Sequence, residues 1–517
     1  MTTIGRGAGL RVADVVRTHA AQRPDTVAVR QGERELTYGL LDERSSRLAQ
    51  ALLASGVGPG SRVAYLDRSA PEIVELLFAT SKLGAVTVPL NWRLAAPEVR
   101  RVLTDSQAPL LLVGSAYEQV AEDVVDGLSP QPALVRIADA YEPWLAAFDP
   151  VDPGRRGEPG DVALQLYTSG TTGVPRGVLM THRNLAACAE TSPHWQFDAE
   201  TVSLTPLPMF HIGGIGWAFL GLWNGATTIL VRDFVPGEVL DVLERERVTN
   251  AIFVPTMLQM LTSEPGAADR DYSALRSIAY GASPITTPVL KAALRTFRCS
   301  LYGVYGLTES TGGVVQLDPE DHDPGGPRER LLRSAGRPLP WVELRIADPA
   351  NGHELGPGQV GEVWLRAPNV TPGYFNRPEE TQAALTPEGW LRTGDGGYVD
   401  EEGYLFLTDR IKDMIVSGGE NVYPIEVEEA LAQHPDVLDV AVIGVPDARW
   451  VEAVKALVVP RPGSAATPDE LIAFARGRLA GYKLPRSIEF VDELPRTPSG
   501  KVLKRELRAR YAAPVSS

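Results

Sequence analysis

Cysteine and histidine are too scarce in this sequence to build a cross-linked or metal-rich protein. Cys188 and Cys299 are the only cysteines among 517 residues, which excludes a disulfide framework and a cysteine-rich metal site. The seven histidines are scattered and include no His-x3-His pair, so the helical zinc motif is absent as well. With 44% hydrophobic and 22% charged residues, the composition is that of a soluble globular protein.

Positive charge and long apolar runs are also lacking, which limits the expected partners. The formal net charge of −15 argues against a nucleic-acid partner, although a small phosphate compound can still bind a locally basic pocket. No apolar run approaches the length of a membrane span, and no basic-then-apolar signal opens the sequence, so we expect a cytoplasmic protein. Arg328, Arg330 and Arg333 around Leu331-Leu332 would give at most a weak peripheral membrane contact, and a solvated loop is the simpler interpretation. Monomer and homodimer are both open.

The order of apolar and polar segments predicts an α/β protein of more than one domain. A chain of this length exceeds the usual size of a single core. Residues 10–160 alternate helices with short apolar strands, and the alternation resumes after residue 177, which favours βαβ units and a largely parallel sheet. Residues 114–153 look irregular. Short strands with Gly and Pro turns predict a small β unit over residues 342–365, and a compact α+β unit of about a hundred residues follows residue 408.

One glycine-rich segment is a candidate phosphate site. The sequence YTSGTTGVPRG, from Tyr167 to Gly177, holds three glycines and four Ser/Thr hydroxyls after an apolar strand. Such backbone turns form concavities for anions, and Arg176 would add a permanent charge. The glycine spacing of three and four differs from that of a P-loop, and an ordinary surface turn is the alternative. Thr181 is predicted to cap a helix starting near His182, whose N-terminus would also favour an anion.

Thr308 and Glu309 form a second candidate site after the apolar strand at residues 301–304. Ligands of parallel α/β sheets bind beyond the carboxyl ends of strands, and a carboxylate there can hold Mg²⁺ together with phosphate oxygens. A helix cap with a favourable first-turn charge is the alternative interpretation of the same pair.

Three further motifs carry little information when each is taken alone. Asp395 lies behind a glycine turn and is typical of an Asx-turn. Residues 409–420 alternate charges before an apolar triplet and a Gly pair, which is typical of an interdomain linker. Lys501, in Pro498-Ser-Gly-Lys, would ordinarily be a solvated surface charge.

In this order and at these separations, however, the motifs resemble those of the adenylate-forming superfamily. This superfamily unites acyl-CoA synthetases, luciferases and nonribosomal adenylation domains, and the sequence most closely resembles bacterial fatty-acyl- and aryl-CoA ligases. The resemblance runs from Leu36-Thr-Tyr38 through residues 82–91 to Thr497-Pro-Ser-Gly-Lys501. It implies an N-terminal domain over residues 1–409, made of two α/β subdomains and a β unit, and a mobile C-terminal domain over residues 410–517 with a hinge near Lys412.

The resemblance also implies a reaction. A carboxylic acid would be activated by ATP and Mg²⁺ to acyl-AMP with release of pyrophosphate, and the acyl group would pass to CoA to give acyl-CoA and AMP. A stand-alone adenylation enzyme that loads a carrier protein is the alternative, and a catalytically silent ligand sensor is a third possibility. The segments expected to form the acid pocket are apolar and carry no countercharge, which favours a fatty, aryl or other apolar acid.

Roles for individual residues follow from the same resemblance. Contacts with ATP or AMP are implied for Thr168, Ser169, Gly170, Thr171, Thr172, Gly173, Arg176, Gly281, Ala282, Ser283, Tyr305, Gly306, Asp395 and Arg410. Catalytic roles are implied for Thr308, Glu309, His211 and Lys501, with Glu309 as the metal ligand. Contacts with CoA are implied for Ser417, Gly418 and Gly419. The acyl pocket would be lined by His211, Gly213, Gly214, Trp217, Gly312 and Gly313.

Two positions depart from the pattern of the family. The glycine loop usually ends in Pro-Lys-Gly, and Arg176 stands in place of the lysine. The charge is kept, but the geometry of the donors changes. Val451 precedes Glu452 where relatives usually carry glycine, which raises doubt about the local turn and the contacts on the CoA side.

Overall fold

Four β-sheets organise the chain. The computed structural model describes residues 10–511, apart from residues 156, 170–174, 284, 411–414, 418–419, 448–449, 477, 480 and 497–501. The strands before residue 411 are β1 (Val27–Gln31), β2 (Arg34–Thr37), β3 (Arg62–Leu66), β4 (Val86–Pro89), β5 (Leu110–Val113), β6 (Ala133–Arg136), β7 (Val162–Ser169), β8 (Pro175–Thr181), β9 (Val202–Thr205), β10 (Thr227–Leu230), β11 (Asn250–Phe253), β12 (Ser277–Gly281), β13 (Ser300–Leu307), β14 (Gly312–Leu317), β15 (Arg337–Pro338), β16 (Glu343–Ala347), β17 (Gly361–Arg366), β18 (Leu391–Val399) and β19 (Leu405–Arg410).

The helices of the same region separate these strands, as the βαβ interpretation requires. They are α1 (Val12–Gln22), α2 (Tyr38–Ala54), α3 (Pro71–Leu83), α4 (Ala96–Ser106), α5 (Glu118–Val125), α6 (Tyr141–Ala146), α7 (His182–Ala189), α8 (Ile212–Trp223), α9 (Pro236–Arg245), α10 (Pro255–Ser263), α11 (Thr287–Phe297) and α12 (Pro378–Ala384). Residues 114–153, which the sequence suggested were irregular, contain α5, β6 and α6. That prediction was wrong because the elements are too short to show a clear periodicity in the sequence. They are nevertheless packed against the core: Tyr141 is buried and donates a hydrogen bond to Glu75 Oε2 at 2.5 Å.

Two sheets form the bulk of the protein. In the six-stranded sheet the order is β6-β5-β3-β4-β7-β8, with parallel neighbours except for the β7–β8 hairpin. In the nine-stranded sheet the order is β15-β14-β13-β12-β11-β9-β10-β1-β2. The six central strands, β13, β12, β11, β9, β10 and β1, are parallel to one another. The edge strands pair antiparallel, with β14 and β15 at one edge and β2 at the other. The predicted parallel α/β architecture is therefore confirmed.

The two large sheets are interleaved along the chain, which the sequence did not predict. Strands β1 and β2 belong to the nine-stranded sheet, where β1 pairs with β10 about two hundred residues later. Strands β3 to β8 then form the six-stranded sheet, and the chain returns to the nine-stranded sheet at β9. An apolar run predicts a strand but not its partner, because pairing between distant segments depends on the packing of both.

The glycine-rich segment connects two strands instead of a strand and a helix. Strand β8 runs back along β7 with Tyr167 opposite Gly177 and Val162 opposite Thr181. The predicted helix does begin at His182, and the Thr181 side chain accepts a hydrogen bond from the Asn184 N–H at 3.1 Å. Its N-terminus, however, lies at the far end of the hairpin, roughly 20 Å from the glycine loop at about 3.4 Å per residue. The prediction that this helix helps to bind the anion was wrong.

A small β unit and a small C-terminal domain complete the fold. The antiparallel sheet β16-β17-β18-β19 confirms the β unit predicted over residues 342–365 and extends it to residue 410. The C-terminal sheet has the order β21-β20-β23-β22, with β24 beside β23. Its elements are β20 (Ile415–Ser417), β21 (Glu420–Val422), β22 (Val437–Asp447), β23 (Val451–Pro460), β24 (Ser487–Phe490), α13 (Pro424–Ala432), α14 (Pro468–Arg476) and α15 (Lys504–Tyr511).

The large N-terminal and small C-terminal domains agree with the expected architecture, while the boundary at residues 409 and 410 stays a prediction. The hinge residue Lys412 lies outside the described residues. Leu331 and Leu332 are buried, so they are not exposed as a membrane anchor. In the described part of the chain, no helix is both long enough and apolar enough to cross a membrane.

A fully buried lysine joins α3 to α2 in the N-terminal core. Lys82 Nζ donates hydrogen bonds to the Asp42 carboxylate at 2.7 Å, to the Asp42 carbonyl at 2.8 Å, and to the hydroxyls of Ser45 and Ser46 at 2.9 and 2.8 Å. Burial lowers the pKa of the Lys82 ammonium, and the Asp42 carboxylate partly offsets this effect. The buried charge is tolerated because its protons are all paired.

Replacing Lys82 should therefore destabilise the N-terminal domain. We expect Lys82→Ala to cost about 3–5 kcal/mol, because it leaves Asp42 without its countercharge and creates a cavity. Urea unfolding followed by tryptophan fluorescence would measure the shift. Lys291→Ala is the matched control, since Lys291 forms a half-exposed ion pair with Glu329 at 2.7 Å and should cost at most about 1 kcal/mol. Equal midpoints for the two variants would contradict a structural role of the buried network.

Candidate active site

Thr308 and Glu309 lie in a tight turn between β13 and β14. The register pairs Leu307 with Gly312, so residues 308–311 form a hairpin turn at the carboxyl end of the parallel strand β13. The alternative prediction of a helix cap is therefore wrong. Sequence reasoning overlooked Ser310, whose buried hydroxyl accepts from the Leu307 N–H at 2.9 Å and donates to the Gly312 carbonyl at 2.8 Å.

The backbone of this turn is strained, which is common at functional sites. Thr311 is fully buried and has a φ of +48°, a region that β-branched residues rarely adopt. Gly306 faces the backbone of Gly312 so closely that a Cβ would collide with its carbonyl. The turn is thus held in one conformation by Ser310 and by the absence of a side chain at residue 306.

A segment that we call the strap, residues 369–375, fixes this turn from the other side. The Thr371 N–H donates to the Glu309 carbonyl at 2.8 Å. The Asn369 side chain donates to the Ser310 carbonyl at 2.7 Å. The backbone of Glu309 is therefore held by hydrogen bonds from the strap as well as by the hairpin itself.

The same strap adds to the edge of β8, the second strand of the glycine-loop hairpin. The Leu179 N–H donates to the Gly373 carbonyl at 3.0 Å, and the Phe375 N–H donates to the Gly177 carbonyl at 2.8 Å. The strap consequently connects the six-stranded sheet to the hairpin turn of the nine-stranded sheet, and it is bonded to both β8 and Glu309.

Tyr374 is the residue of the strap that touches both predicted sites. Its hydroxyl donates to Glu309 Oε1 at 3.0 Å. The Arg176 guanidinium carbon lies 4.7 Å from the centre of the Tyr374 ring, a cation–π distance. Arginine stacks on an aromatic face through its planar group, which gives a physical reason for arginine at this position. The Thr-Pro-Gly-Tyr sequence of the strap was the one signal available, and sequence reasoning missed it.

Two buried polar atoms at the base of the glycine loop suit a phosphate group. Thr168 and Arg176 face each other across the hairpin. Thr168 Oγ1 and Arg176 Nε are buried and have no hydrogen-bond partner among the described residues. A buried polar atom left unpaired costs roughly 1–3 kcal/mol, and an anion would satisfy both atoms. Gly170, Thr171, Thr172 and Gly173 lie outside the described residues, and for Ser169 the strand alone is described.

The residues predicted to hold the nucleoside are close to one another. Tyr305 Oη donates to Asp395 Oδ2 at 2.8 Å, which joins β13 to β18. Asp395 is opposite Arg410 in the β18–β19 pair. Gly281 pairs with Val304, next to Tyr305.

Residues 281–283 lie at the end of β12 in a turn that few side chains can adopt. Ala282 has a φ of +68°, and Ser283 follows it. A Cβ at Gly281 would collide with the Val304 carbonyl. This close approach brings the segment against β13, on the side where Tyr305 lies.

The predicted acyl pocket surrounds α8 and is aromatic. His211 is the N-cap residue of α8. Trp217 is only 3% exposed, and its ring centre lies 5.7 Å from that of Trp195 and 5.0 Å from that of Phe197. Its indole Nε1 has no hydrogen-bond partner among the described residues. The described surroundings of Trp217 are thus uncharged aromatic rings.

The glycines of this region serve close packing. A Cβ at Gly214 would collide with the Pro208 carbonyl, and a Cβ at Gly213 would come within 2.9 Å of the Leu207 side chain. These two positions let the first turn of α8 approach the preceding segment. A Cβ at Gly313 would come within 2.5 Å of Val304 Cγ1, and Gly312 has a φ of +110°.

The C-terminal domain contributes fewer described candidates. Ser417 is buried at the end of β20 and pairs with Val451 of β23. Val451 also pairs with Asp447 of β22, at the start of a regular strand, where a β-branched residue is favourable. Gly418, Gly419 and Lys501 lie outside the described residues.

A magnesium ion fits this arrangement. Over the described ranges, no group of three or more His, Cys, Asp or Glu side chains could hold a metal ion. Mg²⁺ commonly uses only one or two carboxylates and completes its shell with phosphate oxygens and water. The Glu309 carboxylate, which accepts from the Tyr374 hydroxyl beside Arg176, would meet that requirement.

Comparisons with known proteins agree with this geometry. Residues 16–375 match the AMP-binding enzyme family, and residues 426–501 match the AMP-binding enzyme C-terminal domain. The fatty acid–[acyl-carrier-protein] ligase ScoC of Streptomyces coeruleorubidus is 42% identical over 95% of each chain. A feruloyl-CoA synthase of an Amycolatopsis species is also 42% identical, over 95% of this chain and 97% of its own.

Solved structures show the same architecture. The crystal structure of ATP-bound MatB from Rhodopseudomonas palustris superimposes with a TM-score of 0.89 at 28% identity, covering 97% of this chain and 99% of that one. The chain therefore belongs to the AMP-binding family of adenylate-forming enzymes, and it is an AMP-forming acid–thiol ligase that uses ATP, Mg²⁺ and CoA to convert a carboxylic acid to acyl-AMP and then to a thioester.

Proposed function

We propose that the acid is an apolar one, either aryl or fatty. The observation that carries this proposal is the uncharged aromatic cluster of Trp217, Trp195 and Phe197 beside α8. A second carboxylate or an amino group would be desolvated there without a countercharge. The feruloyl-CoA synthase relative, whose name specifies an aryl acid, supports the aryl class.

Adenylation requires one anion to attack another, so positive charge must collect around the phosphates. We propose that the Arg176 guanidinium and the Thr168 hydroxyl bind the β- and γ-phosphates of ATP, because both have buried unpaired atoms at the loop. Mg²⁺ at Glu309 would neutralise phosphate charge. Lys501 would approach the α-phosphate from the C-terminal domain.

The nucleoside is proposed to be held by the Tyr305–Asp395 pair. A carboxylate has two oxygens and about four lone-pair sites, so Asp395 can accept from the ribose hydroxyls while it accepts from Tyr305. The strained segment at Gly281, Ala282 and Ser283 would present its backbone to the adenine ring beside Tyr305. This arrangement holds AMP while the acyl group is transferred.

Thioester formation needs a path for the pantetheine arm of CoA to the acyl carbonyl. We propose that Ser417, Gly418 and Gly419 line that path and that His211 lies at the carbonyl end of the acyl pocket. A rotation of the C-terminal domain about Lys412 would carry Lys501 away and bring the glycines in. The two steps would then use different faces of the same domain.

A second candidate acceptor is the phosphopantetheine arm of a carrier protein. The similarity to ScoC, which is named for transfer to an acyl carrier protein, favours this candidate. The chemistry at the carbonyl is the same, since both acceptors present a pantetheine thiol. The two acceptors differ in the part of the molecule that lies outside the pantetheine path, which is a nucleotide in CoA and a protein in the carrier.

A pyrophosphate-release assay with a panel of acids, with and without CoA, tests the proposal. We expect ring-bearing and unbranched apolar acids to release pyrophosphate and to yield acyl-CoA, and dicarboxylic or amino acids to be poor substrates. Trp217→Ala should extend the range of accepted acids if the indole closes the acyl pocket, and an unchanged range would place Trp217 in the core. Acyl-AMP formation without acyl transfer to CoA, but with transfer to a pantetheinylated carrier, would favour the second acceptor.

Tyr374→Phe should weaken the binding of Mg²⁺ at Glu309. The ring under Arg176 stays, but the hydrogen bond to the carboxylate is lost, so we expect the Mg²⁺ concentration for half-maximal pyrophosphate release to rise about tenfold. Tyr272→Phe is the matched control, because the Tyr272 hydroxyl donates only to the Ala267 carbonyl, at 2.8 Å. An unchanged Mg²⁺ requirement in Tyr374→Phe would show that the hydroxyl does not position Glu309.

Lys501→Ala should separate the two half-reactions. Removal of a preorganised charge from the transition state is expected to slow acyl-AMP formation roughly a hundredfold or more, whereas presynthesised acyl-AMP and CoA should still give thioester at near wild-type rate. Gly419→Leu should show the reverse pattern, because a side chain would obstruct the tunnel. Equal defects of a folded Lys501→Ala enzyme in both steps would contradict the rotation of the C-terminal domain.

A further inference from the structure

The layer between α8 and the nine-stranded sheet retains open space inside the N-terminal domain. Ile252 of β11 and Val304 of β13 belong to inner strands of that sheet, yet both residues stay partly exposed. Both pack against the core cluster that contains Trp217 of α8. Ala251 and Phe253, whose side chains point to the opposite face of β11, are fully buried. The face that α8 covers is therefore the one with room for a ligand.

Gly221 shows which side of α8 faces the sheet. A Cβ at Gly221 would lie 2.5 Å from Thr228 Oγ1 and 3.5 Å from Ser203 Cβ. Trp217 lies four residues earlier, and residues four apart share one face of a helix. Trp217 therefore faces the sheet as well.

The position of Trp217 along the sheet corresponds to that of Thr205. Helix α8 begins beyond the carboxyl end of β9 and ends just before β10, which is parallel to β9. The four residues from Gly221 back to Trp217 thus advance about 6 Å toward the carboxyl end of β9. Thr205 lies about 6.7 Å beyond Ser203 on the same face of β9. The Trp217 indole and the Thr205 side chain consequently meet at one level of the layer.

Each of these two residues holds a buried polar atom that lacks a partner. Trp217 Nε1 and Thr205 Oγ1 make no hydrogen bond within the described part of the chain, and an unpaired buried polar atom is unfavourable. In the same aromatic cluster, the Trp195 N–H is satisfied, because it donates to Gln316 Oε1 at 2.6 Å. The partly exposed Ile252 lies beside Thr205, one residue beyond the pair of Ala251 with Leu204. The open space therefore borders the unpartnered atoms.

We propose that the acid carries a neutral hydrogen-bonding oxygen on its apolar body, as an ether, a hydroxyl or a carbonyl, and that this oxygen binds Trp217 Nε1 and Thr205 Oγ1. The inference rests on the proposed acyl pocket and narrows its substrate class. An indole N–H can only donate, whereas a threonine hydroxyl can donate or accept, so all three kinds of oxygen suit the pair. A charged group would still lack a countercharge.

The physical consequence is selectivity between acids of the same shape. An acid with the oxygen satisfies both buried atoms of the protein. An acid with a methylene in the same place fills the space but leaves them unpaired, and a site built in this way discriminates against such an analogue.

Isosteric acids that differ in one oxygen test the proposal. For the aryl class, 3- and 4-methoxycinnamic acids are compared with the corresponding ethylcinnamic acids. For the fatty class, dodecanoic acids with one methylene replaced by oxygen, at each position in turn, are compared with dodecanoic acid. We expect the wild-type enzyme to use at least one oxygen-bearing acid with a kcat/KM for pyrophosphate release about tenfold above that of its carbon counterpart.

Two variants remove the polar atoms and keep most of the packing. Trp217→Phe retains an aromatic ring without the N–H, and Thr205→Val retains a branched side chain without the hydroxyl. Each should lose most of the preference, because kcat/KM falls for the oxygen-bearing acid and not for its carbon counterpart. Thr205→Val tests the site by itself should Trp217→Phe fail to fold.

Trp195→Phe and Thr228→Val are the matched controls. The Trp195 N–H is already engaged by Gln316. The Thr228 hydroxyl is also buried and unpartnered among the described residues, but the backbone of Gly221 covers it. Both controls should keep the wild-type ratio of the two kcat/KM values, whatever their effect on the absolute rate. Retention of that ratio in Trp217→Phe and Thr205→Val as well would overturn the oxygen site.

The outcomes separate this inference from the proposed function. If the wild-type enzyme releases pyrophosphate equally well with both members of every pair, the apolar acid class stands and only the oxygen site is overturned. If no member of any pair releases pyrophosphate, the proposed apolar pocket fails and the oxygen site falls with it.

Discussion

Tyr374 links the ends of the two large β-sheets, which also share one hydrophobic core. Its ring supports Arg176 at the end of the six-stranded sheet, and its hydroxyl binds Glu309 at the end of the nine-stranded sheet. The backbone of the strap makes the same connection through Thr371 and Gly373. If Arg176 binds phosphate and Glu309 binds the metal, as proposed, both must be held at a fixed separation, and this strap fixes it.

The rest of the N-terminal domain keeps the two sheets rigid around that contact. The parallel strands β9 to β13 end on the same edge, so the hairpin turn with Glu309 and the segment after β12 lie side by side. The segment after β12 and the hairpin turn can pack this closely because Gly281 and Gly306 have no side chain. The Ser310 hydroxyl stabilises the turn by accepting from the Leu307 N–H. Away from the site, the fully paired Lys82 joins α3 to α2.

The residues proposed for chemistry and those proposed for acid binding lie in different parts of the molecule. Glu309 lies in the strained β13–β14 turn, whereas Thr168, Arg176 and Asp395 lie on strands β7, β8 and β18. The proposed acid-binding region is the uncharged cluster of aromatic rings around Trp217. Relatives with 42% identity are named for different acids and different acceptors.

The sequence by itself determined the α/β class, the small β unit, the helix at His182 and the family, because those depend on local periodicity, turn residues and ordered motifs such as Thr308-Glu309. Only the tertiary structure decided that β8 turns the glycine loop into a hairpin, that β1 joins a distant sheet, and that Tyr374 connects Arg176 to Glu309. Each of these is a contact between segments far apart in the chain. A strand's side-chain pattern states that one face is buried, but the partner that buries it is chosen by the packing of the whole domain.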